Sequence, residues 1–287
     1  LRKCDMHDNE RIIWAFQNNI MRPERYFGLV EACDKAGIEY INFRAYSDNP
    51  NAQEYHATFN KLPNVPNTNR VIFIGTTFLV HRVHEDGRWK PGVFFDLDNF
   101  TYSACYTKWQ EAMLNFDCQF MTMGEFKKDC ELHPKSQRKF FIRPDKDLKE
   151  FTGMVVGRQE IIEWDPETDT HGDNVNLSTD IIVSLPHEIE REWRLIMVGG
   201  KVSSGSQYKK DRQLCPDATV PDDVIEYAEN TCSIWTPHDV FTMDICESNG
   251  LYKIVECNCF NCSGLYLANL GKVVDDVNAY IEETYPV

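Results

Sequence analysis

No apolar run in this sequence approaches the roughly 20 residues that a membrane-spanning helix needs. Nor do basic residues collect into an arm. There are 45 acids against 30 bases, a formal net charge of -15, which argues against duplex nucleic acid as a partner. A local basic cleft for phosphates stays open, because net charge does not describe a site. The glycine-rich phosphate cradles are missing: neither Gly-x-x-x-x-Gly-Lys-[Ser/Thr] nor Gly-x-Gly-x-x-Gly occurs. There is no internal repeat, no low-complexity tract and no secretory signal at Leu1. The 11 cysteines are odd in number and lack the spacing of a disulfide scaffold. Reduced thiols and a soluble cytoplasmic protein are therefore expected. Nothing in the sequence sets an oligomeric state.

What is present suffices for a large core: 287 residues, 42% hydrophobic and 12% aromatic. Residues 12–16 (Ile-Ile-Trp-Ala-Phe) read as a buried strand, 25–35 as a helix opened by Pro23 and ended by Gly37, and 38–43 as a second strand. That order predicts a parallel pair in an α/β layer. An Asn/Pro-rich loop at 61–69, a strand at 71–74 and a helix from Gly75 to about Arg82 follow. A helical pattern covers 101–115, a strand 119–123 and a short helix 124–131. The polar stretch 132–138 then suggests a boundary, giving an amino-terminal α/β domain over 1–135 and a second domain over 136–287. Within the second, strands are expected at 139–144, 154–157, 161–164 and 181–183, with a polar loop over 165–176. Residues 188–198 alternate, with Ile189, Trp193, Leu195 and Met197 on one face and Glu190, Glu192 and Arg194 on the other. Gly199-Gly200 is a two-residue hairpin signal with 201–204 as the return strand. A helix over 221–230 and a closing helix over 273–284 frame one more hairpin.

That hairpin, 241–258, carries the densest chemistry. Phe241, Met243 and Ile245 make one apolar face; Leu251, Val255 and Cys257 make the other, around a turn at 247–250. Both sets are odd-numbered, so placing them on one side requires an odd loop or a β-bulge. The same register gathers Asp244, Glu256 and Asn258 on the opposite face. Oxygen ligands of this kind suit Mg²⁺; a half-exposed hairpin with ordinary polar residues is the alternative. Arg194 beside such a site is what a triphosphate needs, since a planar guanidinium binds phosphate oxygens in pairs. Equally, Glu192 and Arg194 could pair across the sheet. Arg143-Pro144, Lys149 and Thr152-Gly153 form a second cationic cluster at a strand end. Cys257-x-Cys259-x-x-Cys262, with Cys246, invites zinc or an iron–sulfur cluster. Against this, Cys257 falls on an apolar face and no second Cys/His pair stands nearby. No histidine has the context of a partner for a cysteine nucleophile.

Taken together, Arg143-Pro144 with Lys149 and Phe151-Thr-Gly153, the strand 181–186, Glu192-Trp-Arg194, Asp244, and Glu256-Cys-Asn258 running on to Tyr266 resemble an ATP-grasp enzyme. More narrowly they resemble a bacterial and viral branch with Arg-Pro in place of the usual Lys-Pro. The resemblance implies an α+β fold in which an amino-terminal α/β layer precedes two antiparallel-sheet lobes, about 139–185 and 186–287, enclosing a nucleotide. It implies that Arg143 and Lys149 contact phosphates. It makes Ile182, Val183, Ser184 and Leu185 the adenine hinge and puts Glu188, Glu190 or Glu192 near the ribose. Arg194 would reach the γ-phosphate or the acyl intermediate, and Asp244, Glu256 and Asn258 would hold Mg²⁺, usually two ions. The glycine-rich loop usual after the first cationic strand is replaced here by residues 145–151.

The activity so implied is an ATP- and Mg²⁺-dependent carboxylate–amine (or thiol) ligase working through an acyl phosphate. Its substrate would be a small molecule, an amino acid or a peptide. A kinase acting on a hydroxyl and a non-catalytic nucleotide-binding protein are the rivals. Residues 203–208 and 263–266, with Lys209, Lys210 and Arg212, lie where an acceptor would be read.

Overall fold

The computed structural model describes residues 11–19, 23–44, 70–146, 151–165 and 175–285. Lys149 and the loops expected at 61–69 and over most of 165–176 lie outside them.

The chain begins with β1 (Ile13–Gln17), α1 (Pro23–Ala36), β2 (Glu39–Phe43), β3 (Val71–Ile74), α2 (Thr77–Asp86) and β4 (Pro91–Gly92). These four strands form one parallel sheet in the order β2-β1-β3-β4, so the strand–helix–strand expectation holds. All five residues of β1 are buried because both faces are covered. Ile13 and Ala15 join Leu79, Val80 and Val83 of α2. Trp14 and Phe16 join Leu29 of α1 and Val273, Val274, Val277 and Ile281 of the last helix, α7 (Leu270–Thr284). The Trp14 indole N–H donates to Asn278 Oδ1 at 3.0 Å, satisfying its one polar atom inside this layer.

After α3 (Tyr102–Trp109) and a 3₁₀ turn come β5 (Gln119–Thr122), α4 (Met123–Leu132), β6 (Lys139–Pro144), β7 (Met154–Gly157), α5 (Arg158–Glu163) and β8 (Asp180–Ser184). The strands form an antiparallel sheet ordered β5-β8-β6-β7. The division expected at 135/136 falls between α4 and β6, and sheet membership runs across it, because β5 pairs with β8. Residues 161–164 are not a strand. Ile161 lies in α5, where its side chain packs with Met123 and Phe126 of α4, and so short a stretch cannot itself distinguish the two states.

The third sheet is antiparallel, ordered β11-β10-β9-β12-β13. It contains β9 (Arg191–Val198), β10 (Lys201–Lys210), β11 (Gln213–Asp217), β12 (Val240–Ser248) and β13 (Leu251–Cys259), with α6 (Asp222–Cys232) between β11 and β12. Its two tight hairpins turn on Gly199-Gly200 (φ 56° and 77°) and Asn249-Gly250 (φ 53° and 72°). Positive φ at both central residues is the backbone that matches strand twist and selects these residue types. The return strand β10 runs to Lys210, well past the 204 expected, and β11 is an addition whose five residues are all exposed.

The expected β-bulge is there. Asp244 pairs with Glu256 but Ile245 pairs with Ile254, leaving Val255 as the extra residue. The bulge brings Ile254, rather than Leu251 or Val255, onto the buried side with Cys257; Leu251 is 60% exposed.

Candidate active site

A cleft of about 970 Å³ lies between the β5–β8 sheet and the β9–β13 sheet. Two strand faces make its polar floor. On β9 and β12 the side chains facing α7 are apolar at one end (Ile196, Val198, Val240) and charged at the other, where Arg194 stands directly opposite Asp244. The Arg194 fork binds Asp244 in parallel, Nε to Oδ1 and Nη2 to Oδ2, both at 2.7 Å. Its remaining nitrogen, Nη1, donates to the Gly264 carbonyl at 3.2 Å. Burial works against the Arg194 charge, but Asp244, followed by Glu256, outweighs it and holds the guanidinium above its ordinary pKa. Burial also pushes the Asp244 carboxyl above the usual carboxylate range, with Arg194 opposing.

Around this pair runs a continuous charge network. The Tyr208 hydroxyl donates to Glu192 Oε2 at 2.5 Å and lies 3.2 Å from Asp244 Oδ2. Burial, then Asp244 and Glu192, push that phenol well above its usual pKa, so it remains a donor. Lys209 Nζ donates to Glu192 Oε1 at 3.1 Å. Glu256 Oε1 accepts from Asn258 Nδ2 at 3.0 Å and lies 3.6 Å from Arg194 Nη2. From the other sheet, Arg143 of β6 reaches Glu256 Oε2 at 2.9 Å and the carbonyl of the bulged Val255 at 3.4 Å. Its guanidinium lies over the Tyr102 ring, 5.2 Å from the centroid.

The structure thus brings together Arg143, Glu192, Arg194, Asp244, Glu256 and Asn258. All but Asp244 line the cleft; Asp244, 1% exposed, lies beneath. The donor set of two carboxylates and an amide oxygen fits a hard cation such as Mg²⁺. Among the described residues no three His, Cys, Asp or Glu side chains form a metal cage.

Other expected residues are spread more widely. Ile182 and Val183 are buried within β8, Ser184 donates to Asn115 Oδ1 at 3.2 Å, and Leu185 is 39% exposed. The cleft wall at this point is formed by the next residues, Pro186 to Ile189. Glu188 stands at the rim, paired with Arg212 at 2.5 Å, whereas Glu190 is exposed and outside the lining. Ser204 and Ser206 use their hydroxyls to accept from Asn269 N and Leu267 N, anchoring the 263–269 segment. Cys246, Cys257 and Cys259 are buried thiols and Cys262 is half-buried; burial pushes Cys246 up to about 12.

The sequence reading passed over Lys139, Lys146 and Asn115, which also line the cleft. Lys146, two residues past Arg143-Pro144, was within reach of a reading that counted cations after the strand end.

Comparison with known proteins identifies the fold and the family. Residues 119–275, more than half of the chain, match the ATP-grasp domain, R2K clade family 2. No curated protein matches the sequence. Among solved structures, an ATP-grasp RimK domain protein from Sphaerobacter thermophilus superposes with a TM-score of 0.57 at 14% identity, covering 94% of this chain and 98% of that one. D-alanine–D-alanine ligase from Bacillus anthracis gives 0.57 at 11% identity, over 96% and 97% of the two chains. The ATP-grasp ligase PsnB, solved with a phosphomimetic variant of its minimal precursor, Mg and ADP, gives 0.54 at 10% identity over 96% and 99%. These likenesses establish the ATP-grasp fold, and the match over 119–275 establishes more: the chain belongs to the ATP-grasp domain family of the R2K clade, family 2.

Proposed function

We propose that the protein is an ATP- and Mg²⁺-dependent ligase that joins a carboxylate to an amine. The observation that carries this reading is the convergence of Arg143 from one sheet and Arg194 from the other on Asp244, Glu256 and Asn258. In the proposed reaction a substrate carboxylate oxygen attacks the γ-phosphorus and ADP leaves. An amine then attacks the acyl phosphate carbon, and inorganic phosphate leaves. Charge builds on the transferring phosphoryl group and on the tetrahedral intermediate, and fixed cations in a cleft are suited to stabilising both. No protein nucleophile is needed.

Arg143 takes the nucleotide phosphates with Lys149, and Lys146 on the cleft wall extends that cationic side. Residues 182–185 supply the hinge, the backbone next to Pro186–Ile189 faces adenine, and Glu188 is the ribose carboxylate that its rim position favours. Glu256 and Asn258, with Asp244 behind, hold Mg²⁺, which supplies neutralisation of phosphate charge. Relatives of the same fold include a D-alanine–D-alanine ligase and a ligase solved with a precursor peptide, and a short peptide or amino acid is the substrate class we favour.

Incubation with ATP, Mg²⁺ and pooled amino acids, peptides and metabolites tests this, read by mass spectrometry. ADP release with a new amide supports the ligase. ADP with a phosphorylated product makes the protein a kinase, and no turnover with any pool makes it a nucleotide-binding module.

A further inference from the structure

Among the described residues Tyr266 is the one aromatic side chain on a backbone of positive φ, 46°. It is the first central residue of a turn that Ala268 N closes by donating to the Leu265 carbonyl at 3.1 Å. Positive φ at that position favours glycine, asparagine or aspartate. A β-carbon makes such a backbone costly, and it persists only where the surroundings over-determine it. Here they do. Before Tyr266, the Gly264 carbonyl accepts from Arg194 Nη1 at 3.2 Å and Leu265 is buried. After it, Leu267 N donates to Ser206 Oγ at 3.2 Å and Asn269 N to Ser204 Oγ at 2.8 Å.

The strained backbone does not serve burial, since Tyr266 is 45% exposed. It serves the placing of one ring. Tyr266 stacks on Tyr208 with centroids 4.8 Å apart and the planes at 7°. Arg194 Cζ lies 5.3 Å from the Tyr266 centroid and 5.8 Å from that of Tyr208, within cation–π range of both. The Tyr208 hydroxyl in turn reaches Glu192 and Asp244. The two rings form a wall along the Arg194–Asp244 ion pair; Tyr208 is its buried half and Tyr266 its solvent-facing half. An ion pair shielded from water is stronger than one in contact with it, and a guanidinium already held in place needs no reorganisation when charge develops beside it.

We propose that Tyr266 is a positioning residue for Arg194: its ring keeps water from the Arg194–Asp244 pair and so fixes the guanidinium where the transferring phosphoryl group and the acyl intermediate form. The use of the fixed guanidinium in that reaction rests on the ligase reading; the shielding of the ion pair does not.

Hydrogen exchange of the Arg194 Nε–H, followed by nuclear magnetic resonance on the ¹⁵N-labelled full chain without nucleotide, tests the shielding. Tyr266→Gly and Tyr266→Asn remove the ring and suit the left-handed backbone; Tyr266→Phe keeps the ring. In the first two the Nε–H exchanges at least tenfold faster than in the parent, while the backbone amides of Trp193 and Leu195 on the same strand keep their rates. In Tyr266→Phe all three match the parent. With ATP, Mg²⁺ and the pooled amino acids and peptides, kcat for ADP release falls at least tenfold in Tyr266→Gly and Tyr266→Asn at an unchanged KM for ATP, as for an interaction made in the transition state. Tyr266→Phe retains the parent's kcat. Arg194 exchange at the parent rate in both ringless variants overturns the proposal. So does faster exchange shared by Trp193 and Leu195, which makes Tyr266 a structural residue only, and so does faster Arg194 exchange with kcat unchanged. Faster Arg194 exchange where the parent itself turns over no substrate leaves the shielding standing and removes the ligase.

Discussion

Arg143 of β6 and Glu256 of β13 form an ion pair at 2.9 Å that joins the sheets on the two sides of the cleft. Their side chains are 15% and 27% exposed, so the pair is screened less than a surface bridge. In the proposed reading a nucleotide phosphate entering the cleft competes with Glu256 for the same guanidinium. Arg143→Ala is therefore expected to weaken ATP binding at least tenfold while leaving adenosine binding unchanged, as isothermal titration would show. Equal losses for both ligands would remove Arg143 from phosphate recognition.

The network carries its own neutralisation. Glu192, Asp244 and Glu256 are matched by Lys209, Arg194 and Arg143, so a divalent cation entering alone meets little unbalanced negative charge. Free Mn²⁺, followed by electron paramagnetic resonance, is expected to bind at least tenfold more weakly than Mn²⁺ presented with a non-hydrolysable ATP analogue. Glu256→Gln should abolish the nucleotide-dependent component and, with it, Mg²⁺-dependent turnover, without unfolding the protein. Metal binding that ignores both the nucleotide and this substitution would place the metal elsewhere.

Much of this site was legible in the sequence because its determinants are local. Gly199-Gly200 and Asn249-Gly250 announce their hairpins by residue type, and the odd-numbered apolar positions of β12 and β13 called for an odd loop or a bulge, which the bulge at Val255 meets for Cys257 but not for Leu251. Strand alternation alone puts Arg194 and Asp244 each on the polar face of its own hairpin; the β9–β12 pairing sets them side by side. What escaped the sequence is non-local or unpatterned. β11 is exposed at all five positions, so no periodicity marks it. β5 belongs with β8, more than fifty residues later, and its own four residues do not say so. Gln17 reads as one more polar residue at a strand end until the fold sets it against Thr76.

Two histidines tie stability to pH. Burial lowers the pKa of His238 and of His81 below the ordinary 6.5. The unfolded chain therefore takes up protons near pH 6.5 that the folded protein refuses, and each half-buried neutral imidazole favours folding above that pH and ceases to do so as pH falls. Urea midpoints are expected to be flat above neutrality and to decline below pH 6.5, with His238 contributing a slope of at most about 1.4 kcal/mol per pH unit. His238→Gln should flatten part of that decline. An identical profile in the variant would assign the acid sensitivity to other groups.

Asn261 links the amino-terminal layer to the site, and its substitution separates stability from chemistry. It is wholly buried. Its Oδ1 accepts from Phe94 N at 2.8 Å, its Nδ2 donates to the Phe73 carbonyl at 2.6 Å, and its own carbonyl accepts from Gly75 N at 3.0 Å. Asn261→Ala retains the last bond and leaves a buried N–H and a buried carbonyl without these side-chain partners. At about 1–3 kcal/mol for each orphaned group, the loss should reach about 3 kcal/mol, seen as a lower urea midpoint with an unchanged denaturant slope. Asn261→Asp supplies an acceptor for Phe94 but turns a carboxylate oxygen toward the Phe73 carbonyl, so it should not restore stability. A loss below about 1 kcal/mol in the alanine variant would mean that water or a backbone shift replaces the amide, and that the layer is held to the cleft by its apolar contacts alone.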